Sequence, residues 1–356
     1  MNSKIRTISY AELVNSLLGN LPEREREVLQ KRNALADSNV STLEQIGEDY
    51  NITRERVRQI EKEGLRKLLN LDYEKAKLPI SDLQSQIEEY LKTHGGIMAE
   101  NHLREKLLIE RQAEEEKALN FLLGYILGSK FNRINDHDEF HVIWHLEGVD
   151  LKTALEIANA LKGIITSQES PMHFEDLYEQ FQSHNLYEKV DKTPGDNQAI
   201  IEALLKATRD INKNILNQWG LAHWNTIKPK RMTDKAYLIM LREGKPLHFT
   251  EVSDLINQAN FDHKKACPAT VHNELILDDK YVLVGRGIYA LRDWGYQEGT
   301  VADIIEKILK EKGPMTKKEL MDEVLKQRMV QKTTVTLALM NKDRFNRQKD
   351  GLYSIV

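Results

Sequence analysis

The alternation of apolar and polar residues between Thr53 and Leu68 predicts an amphipathic helix. Val57, Ile60, Gly64 and Leu68 recur at the i, i+3, i+7, i+11 spacing of a buried stripe. Thr53 stands directly before this stripe, where its hydroxyl can cap the first turn. The opposite side of the helix carries long polar and cationic side chains: Arg54, Glu55, Arg58, Gln59 and Lys62. We therefore expect one buried face and one face rich in hydrogen-bond donors.

A shorter helix is predicted just upstream, and a tight turn joins it to the first. Ser41 and Glu44 have the S-x-x-E spacing of a capping box. The apolar stripe of this helix consists of Leu43, Ile46 and Tyr50. Gly47 lets a second helix cross closely, and Asn51 can adopt the left-handed conformation of a tight turn. Helix, turn and donor-rich helix together predict a helix-turn-helix, preceded by a helix over 21–29 with Pro22 in its first turn.

Beyond a predicted linker at residues 71–80, one pattern recurs four times. Each copy has a helix, a turn marked by Gly or Pro, two more helices and a short β-hairpin, which is the composition of a winged helix. The clearest hairpin spans 281–291, where alternating apolar residues flank a turn at Gly285, Arg286 and Gly287. We predict five domains: a helix-turn-helix at 1–72, an acidic winged helix at 78–148, a divergent acidic one at 150–227, a third at 230–297 and a basic one at 300–356. The predicted fold class is mainly α with small β-hairpins (α+β), as a helix-turn-helix domain followed by tandem winged-helix domains.

The charge distribution separates these domains more sharply than the net charge of -4 does. Residues 1–70 hold 12 Lys+Arg and 11 Asp+Glu, and residues 71–227 hold 16 and 26. Residues 228–299 hold 11 and 10, and residues 300–356 hold 12 and 8. Affinity for a phosphate backbone comes from cations that displace counterions, so the acidic middle favours protein contacts, while the basic C-terminal domain remains open to DNA.

Cysteine content and hydropathy indicate the compartment. The single cysteine, Cys267, fits a reducing environment, and no apolar run has the length of a membrane span or of a signal-peptide core. We therefore expect a soluble, cytoplasmic protein without membrane contact.

Residues 8–70 resemble region four of the primary bacterial sigma factors. The resemblance lies in Leu21-Pro22-x-Arg24-Glu25-x-x-Val28-Leu29, Thr42-Leu43-Glu44-x-Ile46-Gly47 and the run from Thr53 to Glu61. It implies that Arg54, Glu55, Arg58 and Gln59 read bases and that Arg24, Arg32 and Thr42 contact phosphates. It also implies a bacterial, nucleoid-associated protein. We assign Arg56 and Lys62 to phosphate contact as well. The chemistry suits the major groove, since Arg pairs with guanine, Gln with adenine, and Glu accepts from cytosine.

Two departures from this family concern its other partner. The family usually carries Phe-Gly where this chain has Asn33-Ala34, and the following loop from Leu35 to Val40 is atypical. Both lie near the surface that the family uses against the flap of the RNA polymerase core.

The segments 245–252, 271–278 and 281–291 resemble a HARE-type winged helix, a family that includes the N-terminal domain of the RNA polymerase delta subunit. Gly313-Pro314-Met315-Thr316 repeats the opening of this pattern more faintly. The resemblance implies work on nucleic acid or docking on protein, with His272, Asn273 and Arg286 as candidate contacts.

Catalytic and metal-binding patterns receive little support. His137, His141 and His145 have the spacing of metal ligands on a helix, but alternating apolar residues at 140–146 predict a strand instead. Cys267 precedes Pro268 at a helix start, where a thiolate or a structural cysteine is compatible with the sequence. We expect no catalytic residue, metal, cofactor or small-molecule substrate.

These observations predict an auxiliary DNA-binding transcription factor that reads a double-stranded promoter upstream element and acts with RNA polymerase, through the flap region. No segment resembles sigma region two, so we do not expect promoter opening by this chain alone. Two alternatives remain open. One is a delta-like polymerase-binding protein with little sequence-specific DNA binding, and the other is the DNA-specificity module of a defence or modification system.

Overall fold

A computed structural model describes residues 9–35, 39–108, 112–129, 131–296, 299–348 and 350–356. The chain divides into two compact units. Unit 1 comprises Met1–Gln168 and Glu175–Ile211, and unit 2 comprises Glu169–Phe174 and Asn212–Val356. The described residues are mostly helical with small antiparallel sheets, which confirms the predicted α+β class.

Unit 1 begins with four helices. Their bounds are α1 Tyr10–Leu18, α2 Glu23–Asn33, α3 Leu43–Tyr50 and α4 Arg54–Leu69. Pro22 directly precedes α2, where a missing N–H costs nothing. The N-terminus of α1 is capped from far along the chain, because the Glu115 carboxylate accepts from the Tyr10 N–H at 2.7 Å and the Ser9 hydroxyl at 2.9 Å.

The next elements of unit 1 have the predicted order but include an additional strand. They are α5 Ile80–Thr93, β1 Ile97–Ala99, α6 Glu100–Leu107, α7 Ala113–Phe121, β2 Asn132–Ile134 and β3 Ile143–His145. A π-helical turn at Leu122–Ile126 and a 3-10 turn at Leu127–Ser129 follow α7. The sheet has the order β1-β3-β2, and all pairs are antiparallel. β1 is too short to produce an alternating pattern, so the sequence did not predict it.

Residues 71–80, predicted as a linker, pack on the core of unit 1. Leu78 is 7% exposed, and Leu71, Tyr73 and Ala76 pack against the same cluster. That cluster joins residues of α1 and α4 to residues of α5, α7 and β3. The helix-turn-helix and the domain after it therefore share one hydrophobic core, because apolar residues alternate through the segment between them.

The region predicted as a divergent winged helix is divided between the two units. Its elements are α8 Leu151–Gln168, α9 Phe174–Gln182, α10 Tyr187–Asp191, α11 Asn197–Ala207, β4 Ile211–Lys213 and β5 Trp219–Leu221. β4 and β5 form a two-stranded sheet, and Met172 makes an isolated bridge to Trp219.

Unit 2 contains two repeats of one topology. The first has α12 Met232–Glu243, β6 Leu247–His248, α13 Phe249–Ala259, α14 Pro268–Leu277, β7 Tyr281–Gly285 and β8 Ile288–Leu291. The second has α15 Val301–Lys312, β9 Met315–Thr316, α16 Lys317–Gln327, α17 Lys332–Ala338, β10 Phe345–Arg347 and β11 Leu352–Ile355. The sheet orders are β6-β8-β7 and β10-β11-β9, so the last strand of each repeat is central. The predicted hairpins are present, and each gains a two-residue strand that precedes its second helix.

Candidate nucleic-acid interface

The turn between α3 and α4 sets the direction of α4. Asn51 adopts the left-handed conformation, with φ 50° and ψ 47°, as predicted. A methyl group on Gly47 would lie 2.7 Å from the backbone oxygen of Ile52, so only glycine allows this close approach. Thr53 caps α4, since its hydroxyl oxygen accepts from the Arg56 N–H at 3.2 Å. The start of α4 is thus fixed by three local features of the sequence.

The capping box of α3 differs from the predicted one. Thr42, rather than Ser41, is the N-cap residue, and its hydroxyl oxygen accepts from the Gln45 N–H at 3.2 Å. The Gln45 side chain accepts in return from the Thr42 N–H at 2.8 Å. Gln serves this position as well as Glu does, so two overlapping boxes fit the sequence and only the start of the helix distinguishes them.

A small cluster of apolar residues holds α4 against α2 and α3. Val28, Ile46 and Val57 are fully buried, and Ile60 is 6% exposed. The predicted buried stripe of α4 is therefore confirmed, with Gly64 and Leu68 continuing it toward the core of unit 1. The residues of α4 that are exposed in its first three turns are Arg54, Glu55, Arg56, Arg58, Gln59, Lys62 and Glu63.

Two side-chain pairs organise the exposed face of α4. Arg58 and Glu55 form a bidentate ion pair, with N–O distances of 2.6 and 2.8 Å. The hydrogen bonds from Arg58 lower the pKa of Glu55, so this carboxyl stays ionised. Arg56 donates to the Gln59 side-chain oxygen at 3.1 Å. Both pairs lie in solvent, where an ion pair contributes little to stability, so a ligand can exchange them at low cost.

The predicted phosphate contacts are of two kinds. Arg56 and Lys62 are exposed on α4. Arg32 is instead half-buried and supports the fold: it donates to the Ser41 backbone oxygen at 2.8 Å and pairs with Glu61 at 3.3 Å.

Arg24 lies at the start of α2 beside the end of α3, whereas Thr42 lies directly before α3. The Arg24 guanidinium lies 5.9 Å from the centre of the Tyr50 ring, and Thr42 is occupied as a helix cap. Tyr50 also donates to Glu27, and burial together with this bond raises the pKa of Tyr50 to about 12. Lys31, which the sequence analysis did not select, lies 5.0 Å from the same ring and pairs with Asp49 at 2.6 Å. Its place beside Arg32 in the sequence was the available signal.

The winged-helix candidates are separated by element and by environment. Asn273 is exposed on α14, and Arg286 is exposed in the turn between β7 and β8. His272 is half-buried, with its ring centre 4.5 Å from that of Phe249 and 5.8 Å from that of Tyr289. These aromatic contacts make His272 a packing residue as well as a candidate contact.

The histidines with metal-like spacing do not converge. His137 accepts from the backbone N–H of Glu139 at 3.1 Å, while His145 lies on β3. The strand predicted at 140–146 is shorter, because only residues 143–145 join the sheet. Within the described ranges, no group of three His, Cys, Asp or Glu side chains could hold a metal ion. Cys267 is an exposed free cysteine directly before α14. No helix in the described part of the chain is both long and apolar enough to cross a membrane.

Comparison with known proteins identifies the region that contains this interface. Residues 17–69 match the family model "Sigma-70, region 4". The chain is 51% identical over 57 residues to RNA polymerase sigma factor SigA of Nostoc sp., which is 16% of this chain and 15% of the relative. It is 47% identical over 57 residues to SigA of Clostridium acetobutylicum, again 16% of this chain and 15% of the relative. The chain thus spans about 15% of the length of these curated relatives. Residues 17–69 form a sigma-70 region 4 domain.

Proposed function

We propose that this chain is an auxiliary DNA-binding transcription factor whose helix α4 reads an upstream promoter element. The observation that carries the proposal is the exposed donor face of α4, which stands on a helix fixed by its cap, its turn and its buried stripe. The rest of the described chain, from α5 onward, lies outside the matched region, and this favours an auxiliary role over that of a complete sigma factor. The proposed role is non-catalytic and needs no cofactor.

We assign base reading to Arg54, Glu55, Arg58 and Gln59 because all four are exposed near the start of α4. Arg58 has its two donor nitrogens on Glu55 in the free protein. Guanine O6 and N7 offer an equivalent pair of acceptors, so Arg58 can exchange the carboxylate for the base without losing hydrogen bonds. The released Glu55 can then accept from a neighbouring cytosine N4. This pairing makes Arg58 and Glu55 one recognition unit.

Phosphate contacts would set the register of α4 on the duplex. Arg56 and Lys62 are available for them because both are exposed. Arg32, Arg24 and Thr42 contribute through the fold as well, since each already contacts a neighbouring element or caps a helix. Salt dependence is measured as the slope of log affinity against log salt concentration. We expect Arg56→Ala or Lys62→Ala to reduce this slope less than a change that displaces α3, because displacing α3 would disturb several of these contacts together.

The experiment that tests this proposal compares Arg58→Ala with Arg66→Ala in the full chain. Arg66 pairs with Glu63 at 2.9 Å on the same helix, in the same i, i+3 arrangement, and is 63% exposed. Arg58→Ala should cost about 1–3 kcal/mol on a duplex carrying the sigma-type upstream hexamer and relax the base preference there. Arg66 lies about 12 Å farther along the helix axis, so its replacement should leave that preference intact.

Fluorescence anisotropy at several salt concentrations, with hexamer and scrambled duplexes, measures both effects. Equal weakening of both duplexes by Arg58→Ala would reassign Arg58 to phosphate contact. Equal loss from Arg66→Ala would point to helix stability rather than base reading. No preference for the hexamer in the unmodified chain would reject the proposed target.

We infer association with the bacterial RNA polymerase core as a second function, and one observation favours unit 2 as its site. Ile276 and Leu277 at the end of α14 are 58% and 80% exposed, and α14 contains no Lys or Arg. Adjacent apolar side chains without cations suit a protein surface better than DNA. In pull-down assays, core polymerase should bind the Arg58→Ala chain normally and bind the Ile276→Lys, Leu277→Lys chain weakly. Loss with Arg58→Ala alone would place the polymerase contact on α4 instead.

A further inference from the structure

Unit 1 contains a cavity of about 830 Å³ that is separate from the proposed DNA face. It is lined by the end of α5, the turn at 95–96, the loop at 146–150, the start of α8, the loop at 192–195 and α11. Its aliphatic lining is formed by Ile97, Leu146, Val149, Ile157, Ile200 and Leu204. The space opens to the surface, since Gly148, Pro194 and Gly195 on its wall are exposed. Small-molecule sites are concave and occupy roughly 300–1,000 Å³, and this cleft lies within that range.

Backbone rather than side chains forms two parts of the cavity wall. Gly96 has φ 81°, and a methyl group there would lie 2.6 Å from Val149 Cγ2. Gly195 has φ 140°, and a methyl group there would lie 2.6 Å from the Thr93 backbone oxygen. The Thr93 oxygen accepts from the Asp196 N–H at 2.9 Å, which ties the loop to the end of α5. Substitution at either glycine would displace a wall, so these segments keep the space open with a defined shape.

The charged groups around the cavity are balanced in number, and Lys92, Lys192 and Asp150 have partners. Two lysines, Lys92 and Lys192, and two acids, Glu147 and Asp150, line it. Lys92 pairs with Glu88 on α5 at 2.7 Å, and Lys192, which directly follows α10, pairs with Glu188 at 2.5 Å. Asp150 occupies the start of α8, where it accepts from the Lys152 N–H at 3.0 Å and the Thr153 hydroxyl at 2.7 Å. These bonds lower the pKa of Asp150, so the helix start already holds a negative charge. With two lysines and two acids along its lining, the cavity offers a ligand no excess of either charge.

We propose that this cavity binds an uncharged small molecule with a mainly aliphatic or aromatic body. Contact with the aliphatic lining would supply the affinity, because apolar surface leaves water on binding. This inference does not depend on the proposed DNA-reading function, since none of the residues assigned to DNA contact lines the cavity. It makes unit 1 a small-molecule-binding unit in addition to the carrier of α4.

The test uses Nile red, a neutral dye whose fluorescence rises in apolar sites, with the full chain. We expect saturable binding at one site per chain. Ala154→Phe should weaken it by about tenfold or more, because Ala154 is 7% exposed, lines the cavity and would place a ring in the ligand space. Asn159→Phe adds the same ring to an exposed position of the same helix and should bind like the parent chain.

Hydrogen exchange with and without the dye locates the site. Amides at 95–97 and 195–196 should exchange more slowly in the complex, while those of α4 should not change. If Ala154→Phe proves misfolded by circular dichroism, Thr153→Phe at the cavity wall replaces it, since Thr153 is only half-buried. Absence of saturable binding, or equal binding by the cavity-filled and Asn159→Phe chains, would overturn the proposal.

Discussion

Helices α4 and α14 have equivalent places in their units but opposite surfaces. Each packs against the helix that precedes it in the chain, α4 on α3 and α14 on α13. Each also buries an apolar stripe: Val57 and Ile60 on α4, and Val271 and Leu275 on α14. The inward faces of the two helices are therefore built by the same rule.

The outward faces differ in charge and in polarity. The span of α4 contains six Lys+Arg (Arg54, Arg56, Arg58, Lys62, Arg66 and Lys67) and three Glu. The span of α14 contains no Lys or Arg and one Glu, and it ends in the exposed Ile276 and Leu277. Nucleic-acid affinity requires cations, whereas an exposed apolar pair is costly in water unless a partner covers it. The two helices therefore share one buried pattern, and we propose that the difference between their exposed residues selects different kinds of partner.

Two matched core substitutions test the different roles of α4 and α14, and they should have the largest effects on stability and DNA binding. Val57 and Val271 are both fully buried, so Asp at either position places an unpaired carboxylate in a core and should cost several kcal/mol. Val57→Asp should abolish hexamer binding, because its cluster orients α4. Val271→Asp should unfold the repeat around α14 and leave DNA binding in place. Anisotropy on the hexamer duplex, with hydrogen exchange to report which unit is folded, measures both; loss of DNA binding in both chains would contradict the assignment to α4.

Lowering the pH should destabilise unit 1 more than unit 2, by less than the core substitutions do. His102 in unit 1 is 1% exposed, and neither ring nitrogen has a hydrogen-bond partner. Burial, with the nearby Lys206, His94 and Lys106, lowers the pKa of His102 to about 3 from its usual 6.5. Between these values the unfolded chain binds a proton that the folded chain does not. The stability that neutral His102 permits is therefore complete above pH 6.5 and declines as the pH falls toward 3.

The expected loss for unit 1 is about 2 kcal/mol at pH 5 relative to pH 7, since one proton is worth about 1.4 kcal/mol per pH unit. The buried His94 has its pKa lowered in the same direction, whereas no histidine is buried among the described residues of unit 2. Urea unfolding followed by unit-resolved hydrogen exchange at pH 7, 6 and 5 measures the difference. His102→Leu should flatten the pH dependence of unit 1; an unchanged slope would exclude His102 as its source.

How much of this the sequence predicted depends on the range of the interaction. The stripe, the cap and the turn of α4 come from residues within a few positions of one another, and all three were predicted. Contacts between distant residues were not. Glu115 caps α1 from 106 positions away, and the shared core at residues 71–80 depends on how two domains meet. β1, β6 and β9 are two or three residues long, so their pairing partners rather than their own patterns define them.

The site residues divide in the same way. Exposure of Arg54, Arg58, Gln59 and Lys62 follows from helical periodicity alone. The occupation of Arg32 by Ser41 and Glu61 requires the meeting of α2, the following loop and α4, which periodicity does not specify. The cavity beside α8 was likewise not predicted, because three distant stretches of the chain line it, within 92–97, 146–157 and 192–204.

The smallest expected effect concerns where helices end in the two units. Ala34 ends α2 with φ 52°, and Gly244 ends α12 with φ 64°. Ala34 is 4% exposed, so burial of its methyl group offsets roughly 1 kcal/mol of left-handed strain, and Ala34→Gly should change stability by less than about 1 kcal/mol. A methyl group on Gly244 would meet nothing within 4 Å, so Gly244→Ala should destabilise unit 2 by about 1 kcal/mol.

Denaturant unfolding of the two chains at one pH measures this pair. Asn33 supports the same helix end, since its side chain donates to the Leu29 backbone oxygen at 2.9 Å. Together these contacts explain how Asn33-Ala34 can replace the usual Phe-Gly while α2 still ends in the left-handed conformation. Stabilisation by Ala34→Gly of well over 1 kcal/mol would mean that the methyl group contributes little, and the replacement would then be a strained feature rather than a compensated one.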